Sequence, residues 1–365
     1  MISFNELDVR DLIRGASILG TGGGGDPERG LKLLLSDLRG GKNISLRELD
    51  GMSPDDLIVT PYFAGTIGSP EDEGGSKHFE FPTKYMLSAV ETLESRVGSK
   101  VGGMIPTEIG GGNTAVTLHI AAELGIPVGD ADHVGRSVPE LIHSAFFLEG
   151  IQLTPSSIAS PQGDLVLIEK YSDISRYEDI VRNIAVASGG KVFVVDTPVP
   201  SKVARDVAIK NSISRALELG RSVRKAVDSS EDPAAAAASF LNGKVILRGA
   251  VKDYDLVDKG GFLVGEYMLT GTREYEGKEL KIWVKNENII AWWENGKPAV
   301  IPPDLICLVD PKGWGVVNSS LKRGMEVSVV AAPADERWRT EKGLETLGPR
   351  HFGFDLDYVP VEELW

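Results

Sequence analysis

Apolar and polar positions in the first forty residues follow a helical period on both sides of a glycine run. Apolar side chains recur every three or four positions over residues 4–19, and leucines do the same over residues 27–39. Between them the chain reads Gly-Thr-Gly-Gly-Gly-Gly-Asp-Pro at residues 20–27. Asp26 is suited to cap the second helix, and Pro27 suits its first position. We therefore predict two helices that are joined by a glycine-rich loop.

Farther along the chain, short apolar runs alternate with amphipathic stretches. This alternation favours an α/β domain with a largely parallel sheet. Because ligands collect at the carboxyl ends of parallel strands, we expect the loops that follow the strands to line one cleft with residues 20–25. The runs typical of strands are 44–49, 57–61, 101–105 and 126–128, the helical stretches are 83–97 and 113–124, and the loops are 64–75, 107–114 and 129–136.

The second half of the chain has a different pattern, with helical stretches followed by many short strands. Residues 202–219 have a helical period, and strand-like runs with tight turns continue from residue 261 onward. Asn295-Gly296 is a strong hairpin signal among them. A break rich in proline, serine and glycine separates the two patterns. We expect an α/β N-terminal domain over residues 1–165 and a β-rich α+β C-terminal domain over residues 166–365.

Composition narrows the class of protein and its partners. The 365 residues carry a net charge of −14, which disfavours nucleic acid or an anionic membrane as a partner. No apolar run reaches transmembrane length, and the first residues lack the pattern of a signal peptide. The single cysteine, Cys307, excludes an intrachain disulfide and reads as a buried, inert strand residue. We expect a cytoplasmic protein with a small-molecule partner, and a homo-oligomer is possible.

The glycine run is the first candidate for a binding site. Consecutive glycines are costly to order, so we expect the backbone to approach another group closely there, with N–H groups that face an anion or a polar substrate. No Lys-Ser/Thr follows the glycines and a helix precedes them, so a Walker loop and a dinucleotide fingerprint are disfavoured. A structural turn between helices is the alternative. The residues expected to bind substrate are Thr21, Gly22, Gly23, Gly24, Gly25 and Asp26, with Glu108, Gly111, Gly112 and Asn113 around the second glycine run.

The segment Asp130-Ala-Asp132-His133 is the candidate for chemistry. It places two carboxylates on one side of an extended segment, with an imidazole beside them. That arrangement can hold a divalent metal such as zinc, or it can provide a general base with an orienting acid. A pair of turn or capping aspartates beside a histidine is the alternative. His119, within an apolar helix, is expected to be a satisfied core residue.

Three motifs together resemble a known family. Residues 19–27, Gly110-Gly-Gly-Asn-Thr114 and Gly129-Asp-Ala-Asp-His-Val-Gly-Arg136 are similar to motifs of the DUF917 family, which is associated with S-methyl thiohydantoin desulfurase. The resemblance runs the whole chain. It implies a hydrolase that acts on a cyclic ureido or thiohydantoin ring, where water displaces methanethiol to leave a hydantoin. From their residue types, Asp130, Asp132 and His133 would supply the base or bind a metal, and the glycine-loop amides would act as donors.

Two other functions remain open at this point. One is an ATP-dependent hydantoinase-like enzyme that would use the glycine-rich loops for phosphate, although the missing lysine and the negative net charge count against it. The other is a non-catalytic protein that binds or senses a small molecule. Turnover that depends on ATP would favour the first, and ligand binding without turnover would favour the second.

Overall fold

The structure is a computed structural model that describes residues 2–66, 68, 70 and 81–364. The α-helices are Glu6–Leu19 (α1), Pro27–Arg39 (α2), Thr83–Val97 (α3), Asn113–Leu124 (α4), Ala145–Leu148 (α5), Ile174–Ala187 (α6), Ser201–Val207 (α7), Ser212–Asp228 (α8), Pro233–Phe240 (α9), Glu341–Leu347 (α10) and Val361–Leu364 (α11). The strands are Ile2–Ser3 (β1), Ser45–Arg47 (β2), Leu57–Gly65 (β3), Val101–Met104 (β4), Val128–Gly129 (β5), Ala131–Asp132 (β6), Ser156–Ala159 (β7), Leu165–Ile168 (β8), Lys191–Pro200 (β9), Ile209–Lys210 (β10), Lys244–Lys259 (β11), Phe262–Gly271 (β12), Glu279–Lys285 (β13), Glu287–Trp293 (β14), Pro298–Val300 (β15), Leu305–Val309 (β16) and Glu326–Ala332 (β17).

The first sheet confirms the predicted α/β class and is mixed in its strand directions. Its order is β1-β2-β5-β4-β3-β9-β7-β8. The strands β2, β5, β4 and β3 are mutually parallel, since α3 and α4 provide the crossover connections that parallel pairs need. Strand β9 is antiparallel to β3 over nearly its whole length, and β7 and β8 continue the sheet in antiparallel fashion. The parallel half is therefore the part that the alternating pattern predicted.

The second sheet is the β-rich part of the chain. Seven antiparallel strands lie in the order β15-β14-β13-β12-β11-β17-β16. The predicted hairpin at Asn295-Gly296 joins β14 to β15, where Gly296 has a φ of 77°. Alternating burial along β13 and β12 shows that one face of this sheet packs inward, which is the usual state of an antiparallel sheet.

The two sheets share a hydrophobic core. Buried side chains of α1, such as Leu12 and Ala16, belong to the same cluster as Cys307 and Val309 of β16. Strand β9 lies after the boundary that we predicted near residue 165, yet it pairs inside the first sheet. The chain thus returns to the first sheet before it forms the second. None of the described helices combines the length and the apolar character that crossing a bilayer requires.

The predicted helix over residues 202–219 is interrupted. The structure has α7, then the two-residue strand β10, then α8. Ile209 of β10 pairs with Asp132, and Asn211 has a left-handed φ of 59°, which an α-helix does not allow. The helical period of the sequence continues across this break, so periodicity alone did not reveal it.

Helices α1 and α8 cross in close contact. A Cβ atom on Gly15 would overlap the Ala216 carbonyl, and one on Gly220 would overlap the Asp11 carbonyl. At the edge of the contact, the Arg224 guanidinium binds the Asp11 carboxylate at 2.8 Å. The crossing therefore depends on the absence of two side chains.

The Gly15→Ala variant should lower the free energy of unfolding by about 2–3 kcal/mol, since overpacking of a tight contact forces the backbones apart. Urea unfolding measures the difference. Gly51→Ala is the matched control, because its new methyl group would make only ordinary contact with Arg47, at 3.6 Å. Equal stability of Gly15→Ala and the wild type would contradict the tight crossing.

Candidate functional site

The two glycine-rich loops bind each other through their backbones. The Gly24 carbonyl oxygen accepts hydrogen bonds from the Gly112 N–H at 2.8 Å and the Asn113 N–H at 3.1 Å. Positive φ angles at Gly22, Gly24 and Gly25 allow the first loop to turn in this way. The N–H groups of Gly112 and Asn113, which we expected to face a ligand, are used inside the protein.

Glycine is required at this contact because the two backbones nearly touch. A Cβ atom on Gly24 would lie 2.6 Å from the Gly110 Cα, and one on Gly25 would lie 2.9 Å from the Gly112 Cα. Real Cβ atoms do not approach other carbon atoms so closely. Asp26 caps α2 as predicted, since its carboxylate accepts from the Glu28 N–H at 2.9 Å. The glycine run therefore fixes the start of α2 against the start of α4.

A third segment, from the second sheet, closes onto the first loop. The Asn288 N–H donates to the Thr21 carbonyl at 2.6 Å, and the Asn318 N–H donates to the Gly22 carbonyl at 2.7 Å. Glu287 stands against Gly23, where any side chain would overlap its carboxylate. Thr21 itself has a φ of 47°, which is strained for a β-branched residue. Strain of this kind concentrates at functional sites.

Two buried glutamates and one buried arginine meet at this junction. Glu108 accepts from the Asn113 side chain at 2.7 Å and from the Val138 N–H at 2.9 Å. The Arg136 guanidinium donates to the Thr21 hydroxyl oxygen at 2.9 Å. The Glu287 side chain is buried, and its Oε2 has no hydrogen-bond partner among the residues that the structure describes. An orphaned buried carboxylate oxygen is costly unless it carries a proton or meets a ligand.

Burial raises the pKa of both glutamates in this cluster. Burial and the nearby Glu108 charge raise the pKa of Glu287 well above its ordinary value. Burial also raises the pKa of Glu108, against the stabilising hydrogen bonds from Val138 and Asn113. The Arg136 charge lowers the pKa of both glutamates, but this single positive charge does not offset the effect of burial on the two carboxyl groups. The pKa of Glu287 is thus raised further than that of Glu108, whose carboxylate accepts two hydrogen bonds, so Glu287 holds a proton more strongly.

Glu108 and Glu287 open onto a cavity of about 640 Å³. Its wall includes the first glycine loop, the start of α4, both glutamates and His133. An aromatic cluster forms another part, where the Phe63 and Phe81 ring centroids lie 5.4 Å apart. All four loops expected to line one cleft contribute residues here. The loop at 64–75 contributes residues 64–66, while its residues 67, 69 and 71–75 lie outside the described residues.

Asp130 and Asp132 use their carboxylates for local structure and do not line the cavity. Asp130 accepts from the Ser214 N–H at 2.9 Å and the Ser214 hydroxyl at 2.5 Å, at the first turn of α8. Asp132 accepts from the N–H groups of Val134 at 3.0 Å and Gly135 at 2.7 Å. The structure thus places Asp130 as a cap and Asp132 Oδ2 as a turn acceptor, and it does not gather them with His133 around one point. The buried Asp132 Oδ1 has no hydrogen-bond partner among the described residues.

His133 does face the cavity. Its Nε2 lies 2.8 Å from the Thr60 hydroxyl, and its Nδ1 lies 3.0 Å from the Ser144 hydroxyl. Its ring also packs on Phe146, with 4.3 Å between centroids. Burial lowers the pKa of His133 to about 3, so the imidazole is neutral at physiological pH. Both ring nitrogens are engaged inside the protein, so the neutral imidazole forms part of the cavity wall.

Among the residues that the structure describes, two groups of side chains have donors close enough for a metal ion, and neither is the predicted one. In the first, Glu140 binds His351 at 2.5 Å and also Lys285, while His143 Nε2 lies 3.0 Å from the Thr346 carbonyl. A metal would have to displace these hydrogen bonds. Although burial opposes the change, the hydrogen bond with His351 and the charge of Lys285 lower the pKa of Glu140.

The second group is also satisfied by its own partners. His119 lies 2.7 Å from Asp37 and 3.0 Å from Thr83, and Lys42 bridges Asp37 to Glu123. His119 is thus the satisfied core residue that we expected. Cys307 is likewise buried, and burial raises the pKa of its thiol to about 12.

Sequence reasoning missed Glu287, Arg136 and Lys191, which belong to the site or its cavity. Glu287 and Lys191 come from the part of the chain after residue 165, where no motif marked them. Arg136 stood at the end of a motif that we quoted, but arginine at a strand end has many ordinary roles. The one available signal was the polar run Asn286-Glu287-Asn288 between two strands, which is unusually rich in hydrogen-bonding groups for a tight turn.

The fold and the cavity define a protein of two sheet-containing domains that enclose a space suited in size to a small molecule. The model of the S-Me-THD-like N-terminal domain matches residues 7–170, and that of the S-Me-THD-like C-terminal domain matches residues 172–361. The chain therefore belongs to the S-Me-THD-like family, which confirms the resemblance seen in its motifs. No functionally curated protein matches the chain.

A solved structure shows the same fold. An X-ray crystal structure of a protein from Chromobacterium violaceum superposes with a TM-score of 0.79 at 22% sequence identity. The match covers 99% of this chain and 100% of that one. At this identity the likeness concerns the fold, which spans both domains.

The contact between Gly23 and Glu287 can be tested by a double-mutant cycle. Gly23→Ala should destabilise the protein, because the new methyl group displaces the Glu287 carboxylate. In a Glu287→Ala background the same change should cost about 1–2 kcal/mol less, the usual coupling of residues in contact. Urea unfolding of the four proteins gives the coupling free energy. Additive effects would show that the two residues do not touch.

The buried Asp132 predicts a pH dependence of stability. Burial raises the pKa of Asp132 to about 7, whereas an aspartate in an unfolded chain ionises near pH 4. The unfolded state therefore loses this proton first, and native stability falls between about pH 4 and pH 7.

Asp132→Asn keeps an acceptor for Val134 and Gly135 but cannot ionise. The free energy of unfolding of the wild type minus that of this variant should fall from about pH 4 to pH 7 and stay constant above it. Urea unfolding at stepped pH measures it. A pH-independent difference would contradict a raised pKa.

Proposed function

We propose that this chain hydrolyses a small cyclic ureido- or thiohydantoin-type ring, with S-methyl thiohydantoin as the substrate and hydantoin and methanethiol as products. The pair of buried carboxyl groups on the wall of the 640 Å³ cavity, Glu108 and Glu287, is the observation that carries this proposal. Membership of the S-Me-THD-like family supports the choice of ring.

The reaction needs one base and one acid. The oxygen of water forms a bond to the ring carbon that bears the S-methyl group, and the C–S bond breaks. The two protons of water end on the ring nitrogen and on the departing methanethiol. A base must take a proton from the attacking water, and an acid must supply one to the leaving group or to the ring nitrogen.

Glu108 and Glu287 fit these roles because their environments separate their proton affinities. Glu287 is the member kept protonated, and its unpartnered Oε2 leaves a hydrogen-bonding position for a ligand. Glu108 is held ionised by Asn113 and Val138 and acts as the base. Two carboxyl groups with different proton affinities at one site are a recurrent acid–base device.

The rest of the cavity suits a small ring with an apolar substituent. Phe63, Phe81, Met86 and Val116 supply an apolar wall against which the ring and its methyl group can pack. We assign the acid–base chemistry to Glu108 and Glu287 instead of Asp130 and Asp132, because the aspartates do not line this cavity.

An ATP-dependent reaction is less well supported by this site. Phosphate loops need free N–H groups, but the Gly112 and Asn113 N–H groups donate to the Gly24 carbonyl. The buried Glu108 carboxylate on the same wall would also repel a triphosphate. Addition of ATP to the turnover assay distinguishes the two functions.

The test measures methanethiol release from a panel of S-methyl thiohydantoins, with hydantoins and thiohydantoins as further substrates. Glu287→Gln and Glu108→Gln should each lower turnover by at least about a hundredfold, the usual weight of a positioned acid or base. Glu149→Gln, which removes one exposed negative charge outside the cavity, is the matched control and should keep wild-type turnover. Circular dichroism checks that each variant is folded.

Other outcomes separate the alternatives. Wild-type turnover in folded Glu287→Gln would contradict the acid–base assignment. Loss of turnover in Asp132→Asn, with Glu287→Gln still active, would return the chemistry to the segment that the sequence suggested. Ring binding without turnover on any substrate would indicate a binding protein, and turnover only with ATP would indicate the hydantoinase-like function.

A further inference from the structure

Strand β8 forms an open edge of the first sheet. It pairs with β7 on one side, and no strand of the described part of the chain pairs with it on the other. Its residues Leu165, Val166 and Leu167 are 45%, 36% and 37% exposed. An edge strand with consecutive exposed apolar side chains is a template for pairing with another strand.

The other described edges of the two large sheets are protected. Strand β1 has only two residues, and β15 has three and begins with Pro298, which has no N–H to donate to a further strand. All residues of β16 are buried. Strand β8 lacks the usual safeguards, because it contains no charged residue and no proline, and its pairing with β7 has no bulge. The exposed apolar edge is therefore specific to β8.

The hydrogen bonds of the β7–β8 hairpin show which backbone groups face the open edge. The Ser160 N–H donates to the Asp164 carbonyl at 2.9 Å, and these two residues continue the register of the two strands. Since hydrogen-bonded and non-hydrogen-bonded pairs alternate along an antiparallel ladder, Val166 also bonds to β7. The N–H and carbonyl groups of its neighbours, Leu165 and Leu167, point outward.

We propose that β8 pairs with β8 of a second copy of this chain across a two-fold axis, which joins the first sheets of two molecules into one continuous sheet. Both strands must offer outward-facing residues at each hydrogen-bonded pair. Two registers then give the greatest overlap of the strands. In one, Leu167 lies opposite its own copy, and in the other Leu165 lies opposite Leu167. Either register packs the exposed apolar side chains of the two copies together.

The charges at the two ends of β8 favour a second copy as the occupant of this edge. Asp164 precedes the strand and Lys170 follows it, and both are exposed. The intervening Glu169 forms an ion pair with Arg96 at 2.5 Å. Antiparallel pairing brings Asp164 of one molecule to Lys170 of the other, directly in the first register and diagonally in the second. The two-fold axis repeats this ion pair, so the edge is complementary to itself.

The size of the interface indicates a reversible dimer. A standard interface buries about 1,600 Å² in total, and the four residues of β8 supply only part of that area. Helix α3 packs on β7 and β8, so the two α3 helices lie on the same side of the joined sheet and add contacts across the axis. We expect a dissociation constant in the micromolar range. Because the pairing uses the open edge of both copies, assembly stops at the dimer.

Sedimentation velocity at concentrations from about 1 to about 100 μM tests the proposal. The wild type should change from monomer to dimer over this range. Leu167→Lys should weaken the dimer at least about tenfold, because a charge on an edge strand opposes pairing. Leu124→Lys, the same change at the end of α4, is the matched control. Leu124 is 38% exposed and lies outside β8, so this variant should dimerise like the wild type.

Charge reversal tests whether the occupant is a second copy. Lys170→Asp should weaken the dimer several-fold, because it brings like charges together across the axis. Adding Asp164→Lys to the same chain should restore the affinity. Such a rescue requires residues 164 and 170 of different copies to meet. Failure of the rescue in a folded double variant would contradict both registers.

Hydrogen exchange of the wild type gives a readout that needs no variant. On going from low to high concentration, the amide protons of Leu165 and Leu167 should become protected, whereas that of Val166 is already bonded to β7 and should not change. A species of monomer mass at every concentration would overturn the proposal. So would a dimer that forms without this protection, or one that folded Leu167→Lys does not weaken.

Discussion

The close approach of three backbone segments is the constraint on which the rest of this structure depends. The Gly24 carbonyl accepts from both Gly112 and Asn113, and Gly23 leaves just enough room for the Glu287 carboxylate. A side chain at any of the central glycines would separate α2, α4 and the second sheet. The glycines are thus needed because they have no side chains. The Gly112 N–H donates a hydrogen bond inside the protein and is not free to bind a ligand.

A consequence of this packing is that carboxyl groups become buried beside the cavity. Closing the second sheet onto the first glycine loop removes water from Glu108 and Glu287, with Arg136 as the one cation within the cluster. Removal of a carboxyl group from water raises its pKa more than neighbouring charges at an exposed surface do. In the proposed reaction, the same feature that joins the domains would prepare an acid and a base. Variants in the loop should then affect both stability and turnover.

Helices and their caps could be predicted from the sequence, whereas contacts between residues far apart along the chain could not. Helix α4 begins and ends where its period indicated, and Asp26 with Pro27 marked the start of α2. The Asp130–Asp132 segment was a reasonable candidate by residue type, but its carboxylates cap α8 and a turn, which depends on the unpredicted strand β10. Glu287 stands far along the chain from Glu108, and no local pattern encodes their meeting.

The central claim is that Glu287 is protonated in the folded protein at neutral pH and faces the ligand. Infrared difference spectroscopy of protein with isotope-labelled glutamate tests it directly, because a protonated carboxyl has a carbonyl band that a carboxylate lacks. The account predicts such a band in the wild type, its loss in Glu287→Gln, and its shift when a hydantoin binds. A wild-type spectrum without this band, or a band that neither Glu287→Gln nor the hydantoin alters, would contradict it.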